Sequence, residues 1–217
     1  MALQDLSLWE PSEEEIVAAT AEEVRKAGKR HFYENIRGFS HPPVAGKSGL
    51  VWIKYGYDTE RLRCEANTQA FVHGELESCE EKTRKEFRVP RVFDFFEAEI
   101  DGLPYGMIVM EFVEGVPISK LTAQLRQAEG LADKEKRIEV PKQRVADAIC
   151  FLLSLQAPPD VVPGPVGGGR IVHFIFGRDE PEAPREFEDL EELQAYINTE
   201  NKKVRDTDKG RRVFVDC

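Results

Sequence analysis

Two side chains in this sequence have the types and setting to hold a polyanion. Lys54 lies inside Leu50-Val51-Trp52-Ile53-Lys54-Tyr55, a short apolar, β-branched and aromatic run bounded by Gly49 and Gly56, and such a run reads as a strand. Glu65 lies in the following segment, where Leu62, Ala66, Ala70 and Phe71 recur at helical spacing behind an Asp58 or Thr59 cap. A helix carboxylate beside a strand lysine fixes a flexible ammonium where an incoming phosphate needs it. Glu60 and Glu75 are alternative partners for the same lysine.

Other chemistries lack their residues. Gly46-Lys47-Ser48 needs a glycine at position 41 to be a P-loop and finds His41, and it precedes a strand instead of following one. The Gly164 to Gly169 stretch does not have dinucleotide-site spacing and reads as a loop. The histidines at 31, 41, 73 and 173 share no metal-ligand spacing, and no G-x-S-x-G is present, so no metal site and no serine-hydrolase site is expected.

The whole chain narrows the choice further. It has 217 residues, 41% of them apolar, with 30 Lys and Arg against 40 Asp and Glu, a net charge of -10. That length allows one large domain or two small lobes. The charge repels phosphate backbones and anionic lipid, and the basic runs are short, so neither nucleic-acid nor membrane-surface binding is expected. Cys64, Cys79, Cys150 and Cys217 form no C-x-x-C pair, and reduced thiols are expected. The acidic N-terminus does not read as a secretory signal, and the apolar run from Ala148 to Leu155 falls far short of the about 20 residues that span a bilayer. The cytosol is the expected compartment.

The positioning elements follow from pattern. Ser12 and Glu15 form a capping box that opens a helix ending near Gly28. Positions 32 to 50, punctuated by Gly38, Pro42, Pro43, Gly46 and Gly49, read as irregular. Val92 to Ile100 and Leu103 to Val113 flank Asp101-Gly102, a hairpin signature. After Glu114-Gly115 the pattern turns helical: a helix capped by Ser119, one through Val145, Ala148, Ile149, Leu152 and Leu153, and a last one over Phe187 to Ile197. Ile171 to Phe176 reads as a short strand, and Val213-Phe214-Val215 as the beginning of another.

Taken in order, Val51 to Gly56, Glu65-Ala66, Val89-Pro90-Arg91-Val92-Phe93 and Ile108 to Pro117 resemble the fungal branch of the aminoglycoside phosphotransferase and choline-kinase-like proteins, across roughly residues 32 to 215. Val166 to Gly169 is similar to a loop of that branch. The resemblance implies a protein-kinase-like α+β fold: an N-terminal helical extension over 1–31, a β-rich lobe with one bracing helix over 32–113 and a partial helical lobe over 114–217. It implies ATP as ligand, Lys54 as the phosphate-binding lysine, Glu65 as its partner and the backbone of Glu111, Phe112 and Val113 as the adenine-binding hinge. The family phosphorylates a small-molecule hydroxyl with Mg2+, using an H-G-D-x-x-x-x-N loop after a Val-Phe-type strand. Here Asp216 and Cys217 stand where His-Gly would begin, so no catalytic or magnesium-binding residue is assigned. A non-catalytic nucleotide-binding or regulatory module and a structural fragment are the alternatives to an active phosphotransferase.

Overall fold

The computed structural model describes residues 11–28, 36–42, 50–127, 131–157, 162–173, 175–176 and 181–207. The chain divides into two compact units, Met1–Gln156 and Ala157–Cys217.

In the first unit the expected capping box is made. The Ser12 hydroxyl accepts from the Glu15 N–H (3.2 Å) and the Ser12 N–H donates to Glu15 Oε2 (2.9 Å), which opens α1 (Glu13–Ala27). The helix stops at Gly28, whose φ of 54° suits a residue with no Cβ. Four strands follow as a single antiparallel sheet in the order β1 (Ile36–His41), β2 (Val51–Gly56), β4 (Leu103–Glu111), β3 (Val92–Ile100). The β3–β4 hairpin turns at Asp101 and Gly102, with φ of 52° and 81°, the pair of positive angles that a type I′ turn demands. Between β2 and β3 the chain forms α2 (Thr59–Ser78) and α3 (Glu81–Glu86). Asp58 caps α2 by accepting from the Arg61 N–H at 3.1 Å.

The sheet is covered on both faces. Val51, Ile53 and Tyr55 of β2, with Tyr105, Met107 and Val109 of β4, pack against Ile16 and Ala21 of α1. On the other face Ile108 and Met110 meet Leu62 and Ala66 of α2, and Trp52, Val92 and Phe95 close the edges. Every residue of β4 from Tyr105 to Met110 is therefore buried, which explains why its sequence is a continuous apolar run without alternation.

Gly106 sets how closely α2 can lie. A Cβ there would stand 3.2 Å from the Thr59 Cα and 3.3 Å from the Phe95 ring. Gly106→Val is expected to push the first turn of α2 off the sheet and to lower stability by about 1–3 kcal/mol, a fall in Tm of about 2–12 °C in a thermal melt.

Helices α4 (Ile118–Gln127) and α5 (Leu131–Ser154) complete the described part of this unit. Phe151 of α5 stacks on Phe87, which follows α3, with ring centroids 4.9 Å apart. In the second unit, α6 (Leu190–Thr207) opens on Asp189, which accepts from the Glu192 N–H at 2.7 Å, and Tyr196 meets the buried Phe187 ring at 5.4 Å.

Several expectations need correction. The segment read as irregular contains β1, because its partner β2 supplies the pairing its own sequence does not advertise. Among the described residues of Ile171–Phe176 no strand forms; only Val172 pairs, in an isolated bridge with Glu182. The hairpin's second strand ends at Glu111, two residues before Val113. Ser119 lies inside α4, which begins at Ile118, and α6 begins at Leu190, leaving Phe187 outside the helix as a core residue. Positions 43–49 and Val213-Phe214-Val215 lie outside the described residues.

Candidate functional site

Lys54 sits in the middle of β2, between Gly38 of β1 and Ile108 of β4. Successive strand residues alternate faces, so Trp52, Lys54 and Gly56 share the face that α2 covers. Glu65 lies on α2 one residue before the buried Ala66, and its carboxylate forms an ion pair and hydrogen bond with the Lys54 ammonium. Both side chains are only partly withdrawn from solvent, at 26% and 34% exposure, so the pair is open to a further ligand on its solvent side. Of the three candidate glutamates, Glu65 is the one that meets Lys54; Glu60 is exposed in the first turn of α2, and Glu75 lies ten positions further along the helix.

The three residues at the end of β4 form the second part of the site. The Glu111 N–H donates to the Arg91 carbonyl at 2.8 Å, and the Glu111 carboxylate pairs with Arg88 and accepts from the Arg91 N–H at 3.4 Å. Glu111 is thus tied to the segment that leads into β3. Phe112 packs against Trp52, with centroids 6.2 Å apart and ring planes 36° from parallel, and Val113 is 39% exposed. Trp52 in turn lies over Gly38: a Cβ on that glycine would come within 2.6 Å of the indole. The tilted Trp52 and Phe112 rings therefore lie between the Lys54 row and the end of β4.

A cleft of about 1230 Å3 opens beside Glu111 and Phe112, walled by Leu50, Leu76, Phe87 and Phe93. Lys54 and Glu65 do not line it. The structure therefore joins Lys54 to Glu65 and gathers Glu111 and Phe112 at the cleft, while Trp52 spans the interval between the two groups.

Three contacts of α2 were not legible as functional in the sequence. Gln69 Nε2 donates to the Pro90 carbonyl at 2.8 Å, His73 Nδ1 stands 3.0 Å from the Val89 carbonyl, and Arg84 reaches Glu77 at 3.9 Å. Glu65, Gln69, His73 and Glu77 are spaced four apart, and that spacing is the sequence mark that finds them.

Cys64, the neighbour of Glu65, has its thiol pKa pushed up by burial and, secondarily, by the Glu60 carboxylate. It stays protonated at neutral pH and is a poor nucleophile. Iodoacetamide at neutral pH is expected to modify the exposed Cys150 well before Cys64, and peptide mass mapping over a time course checks this order.

Among the described residues no three His, Cys, Asp or Glu side chains converge as a metal site, and no helix is long and apolar enough to cross a membrane. No protein-family model, no curated protein and no solved structure matches the chain.

Proposed function

We propose that this protein binds ATP in the manner of a protein-kinase-like N-terminal lobe, with the Lys54 ammonium on the α- and β-phosphates and Glu65 holding that ammonium in place. The observation that carries this reading is the Lys54–Glu65 ion pair, made by a central strand and the helix that braces it. The antiparallel sheet with a single long helix between its second and third strands supports it as well. An unpaired ammonium on a four-carbon stem samples many rotamers, and the carboxylate removes that freedom before the anion arrives. The Glu111 N–H is engaged with the Arg91 carbonyl, so at Glu111 it is the carbonyl, and not the N–H, that is proposed to read an adenine edge together with the backbone of Phe112 and Val113.

The phosphotransferase family that the sequence resembles adds a catalytic aspartate and Mg2+ ligands on an H-G-D-x-x-x-x-N loop, and the 217 residues contain no such pattern. The reading for these residues is nucleotide binding in the cytosol.

Thermal-shift titration with ATP tests the proposal. Binding that occupies the site at 100 times Kd stabilises by about 2.7 kcal/mol, a rise of about 5–11 °C for a chain of this size. Lys54→Ala is expected to remove that rise. A wild-type protein whose Tm does not move with ATP would contradict the reading.

A further inference from the structure

We infer that Gln69 is a positioning residue that sets the rotation of α2 about its axis, so that Glu65 meets Lys54. Only the consequence for ATP rests on the nucleotide-binding reading; the geometric claim stands on the contacts alone.

The apolar anchorage of α2 is sparse. Of its twenty residues only Leu62, Ala66 and Leu76 are buried, and ten positions separate the last two. A helix held by so few apolar contacts needs another restraint against turning about its axis, and a turn of one residue, about 100°, would carry Glu65 off the face that meets the sheet. The restraints visible in the structure are polar: Arg63 pairs with Glu97 of β3 two residues before Glu65, and Gln69 and His73 hold the helix beyond it. Gln69, one turn after Glu65, donates to the Pro90 carbonyl at 2.8 Å, and the same amide nitrogen stands 3.5 Å from the Met110 sulfur. His73, a turn further on, meets the Val89 carbonyl.

These carbonyls are themselves fixed. The Arg91 carbonyl accepts from the Glu111 N–H, and the Arg91 N–H reaches the Glu111 carboxylate, so positions 89–91 are tied to the end of β4. Strand β4 pairs with β2 in a register that sets Ile108 opposite Lys54. Contacts and short stretches of chain close a ring: Lys54, Glu65, Gln69, Pro90, Arg91, Glu111, Ile108 and back to Lys54. Gln69 is the link between Glu65 and the sheet's far end, and its side chain touches neither Lys54 nor any nucleotide-facing group of the hinge.

The test reads the ammonium directly. In 15N-lysine-labelled full-length protein without nucleotide, the Lys54 Nζ resonance is assigned by its loss in Lys54→Arg, and Glu65→Gln gives its position when the ion pair is broken. Gln69→Met keeps the length of the side chain and its packing on Met110 but cannot donate. It is expected to move the Lys54 resonance at least half of the way to the Glu65→Gln position, with the Ile53 and Ile108 amide resonances unchanged. Gln69→Glu, also unable to donate when ionised, is expected to do the same and stands in if the methionine variant does not fold. MgATP affinity in either variant is expected to fall about three- to tenfold, the effect of one neutral hydrogen bond. An unmoved Lys54 resonance in a folded Gln69 variant overturns the inference. If wild-type protein binds no MgATP, the nucleotide reading fails, and the spectra still decide the role of Gln69.

Discussion

Changing Glu65 to glutamine is expected to weaken MgATP binding about ten- to a hundredfold while moving Tm by no more than about 4 °C. The two halves of this expectation have different origins. Lys54 and Glu65 are partly exposed, and an ion pair in that setting contributes about 0–1 kcal/mol to folding because solvent competes for both charges. Its contribution to binding is larger. A charge-assisted hydrogen bond to an anion is worth about 1.5–3 kcal/mol, and it is realised in full only if the ammonium is held where the phosphate arrives. Glutamine preserves the shape of the side chain and removes the charge that holds the lysine. Isothermal titration with MgATP and a thermal melt of the same preparation separate the two effects. A large fall in Tm with unchanged affinity would assign the pair to stability alone.

Ile108→Ala is expected to have the largest effect on stability, about 2–5 kcal/mol, or a fall in Tm of about 4–20 °C. Ile108 is fully buried in the cluster with Leu62, Ala66 and Met110, and it stands opposite Lys54 across the β2–β4 pairing. Removing its three outer carbons leaves a cavity that backbone hydrogen bonds on both sides of β4 keep from collapsing. The cavity also lies under the turn of α2 that carries Glu65, so MgATP affinity is expected to fall with stability. Urea denaturation at fixed temperature gives the free-energy change, and an unchanged denaturation midpoint would contradict the packing described for this face.

The parts of this fold that were legible in the sequence are those whose signals are local. The Ser12–Glu15 box, the Asp101-Gly102 turn and the helical spacing of Leu62, Ala66 and Ala70 each lie within a few residues of the structure they specify. The placement of Glu65 beside Lys54 was legible only in part: helical spacing put Glu65 on the helix after the strand, but Glu60 and Glu75 lie on the same helix, and only the fold selects Glu65. Strand β1 was not legible, because Ile36 to His41 carries a glycine and little apolar alternation. Its Gly38 makes sense only beside the Trp52 indole on the neighbouring strand. Ile171 to Phe176 failed in the opposite sense. Its apolar run looks like a strand, yet what it faces is Pro181 to Ala183, which accommodates one bridge and two flanking hydrogen bonds. The partners of Gln69 and His73 are main-chain carbonyls, which no residue type announces.

The proposed nucleotide binding turns on the Lys54 ammonium meeting a phosphate chain. Isothermal titration of wild-type and Lys54→Ala protein with ATP and with adenosine tests it most directly. The wild type is expected to bind ATP at least tenfold more tightly than adenosine, and the Lys54→Ala protein to lose that preference while keeping the fold. Equal preference for ATP in the two proteins would show that Lys54 does not hold the phosphates.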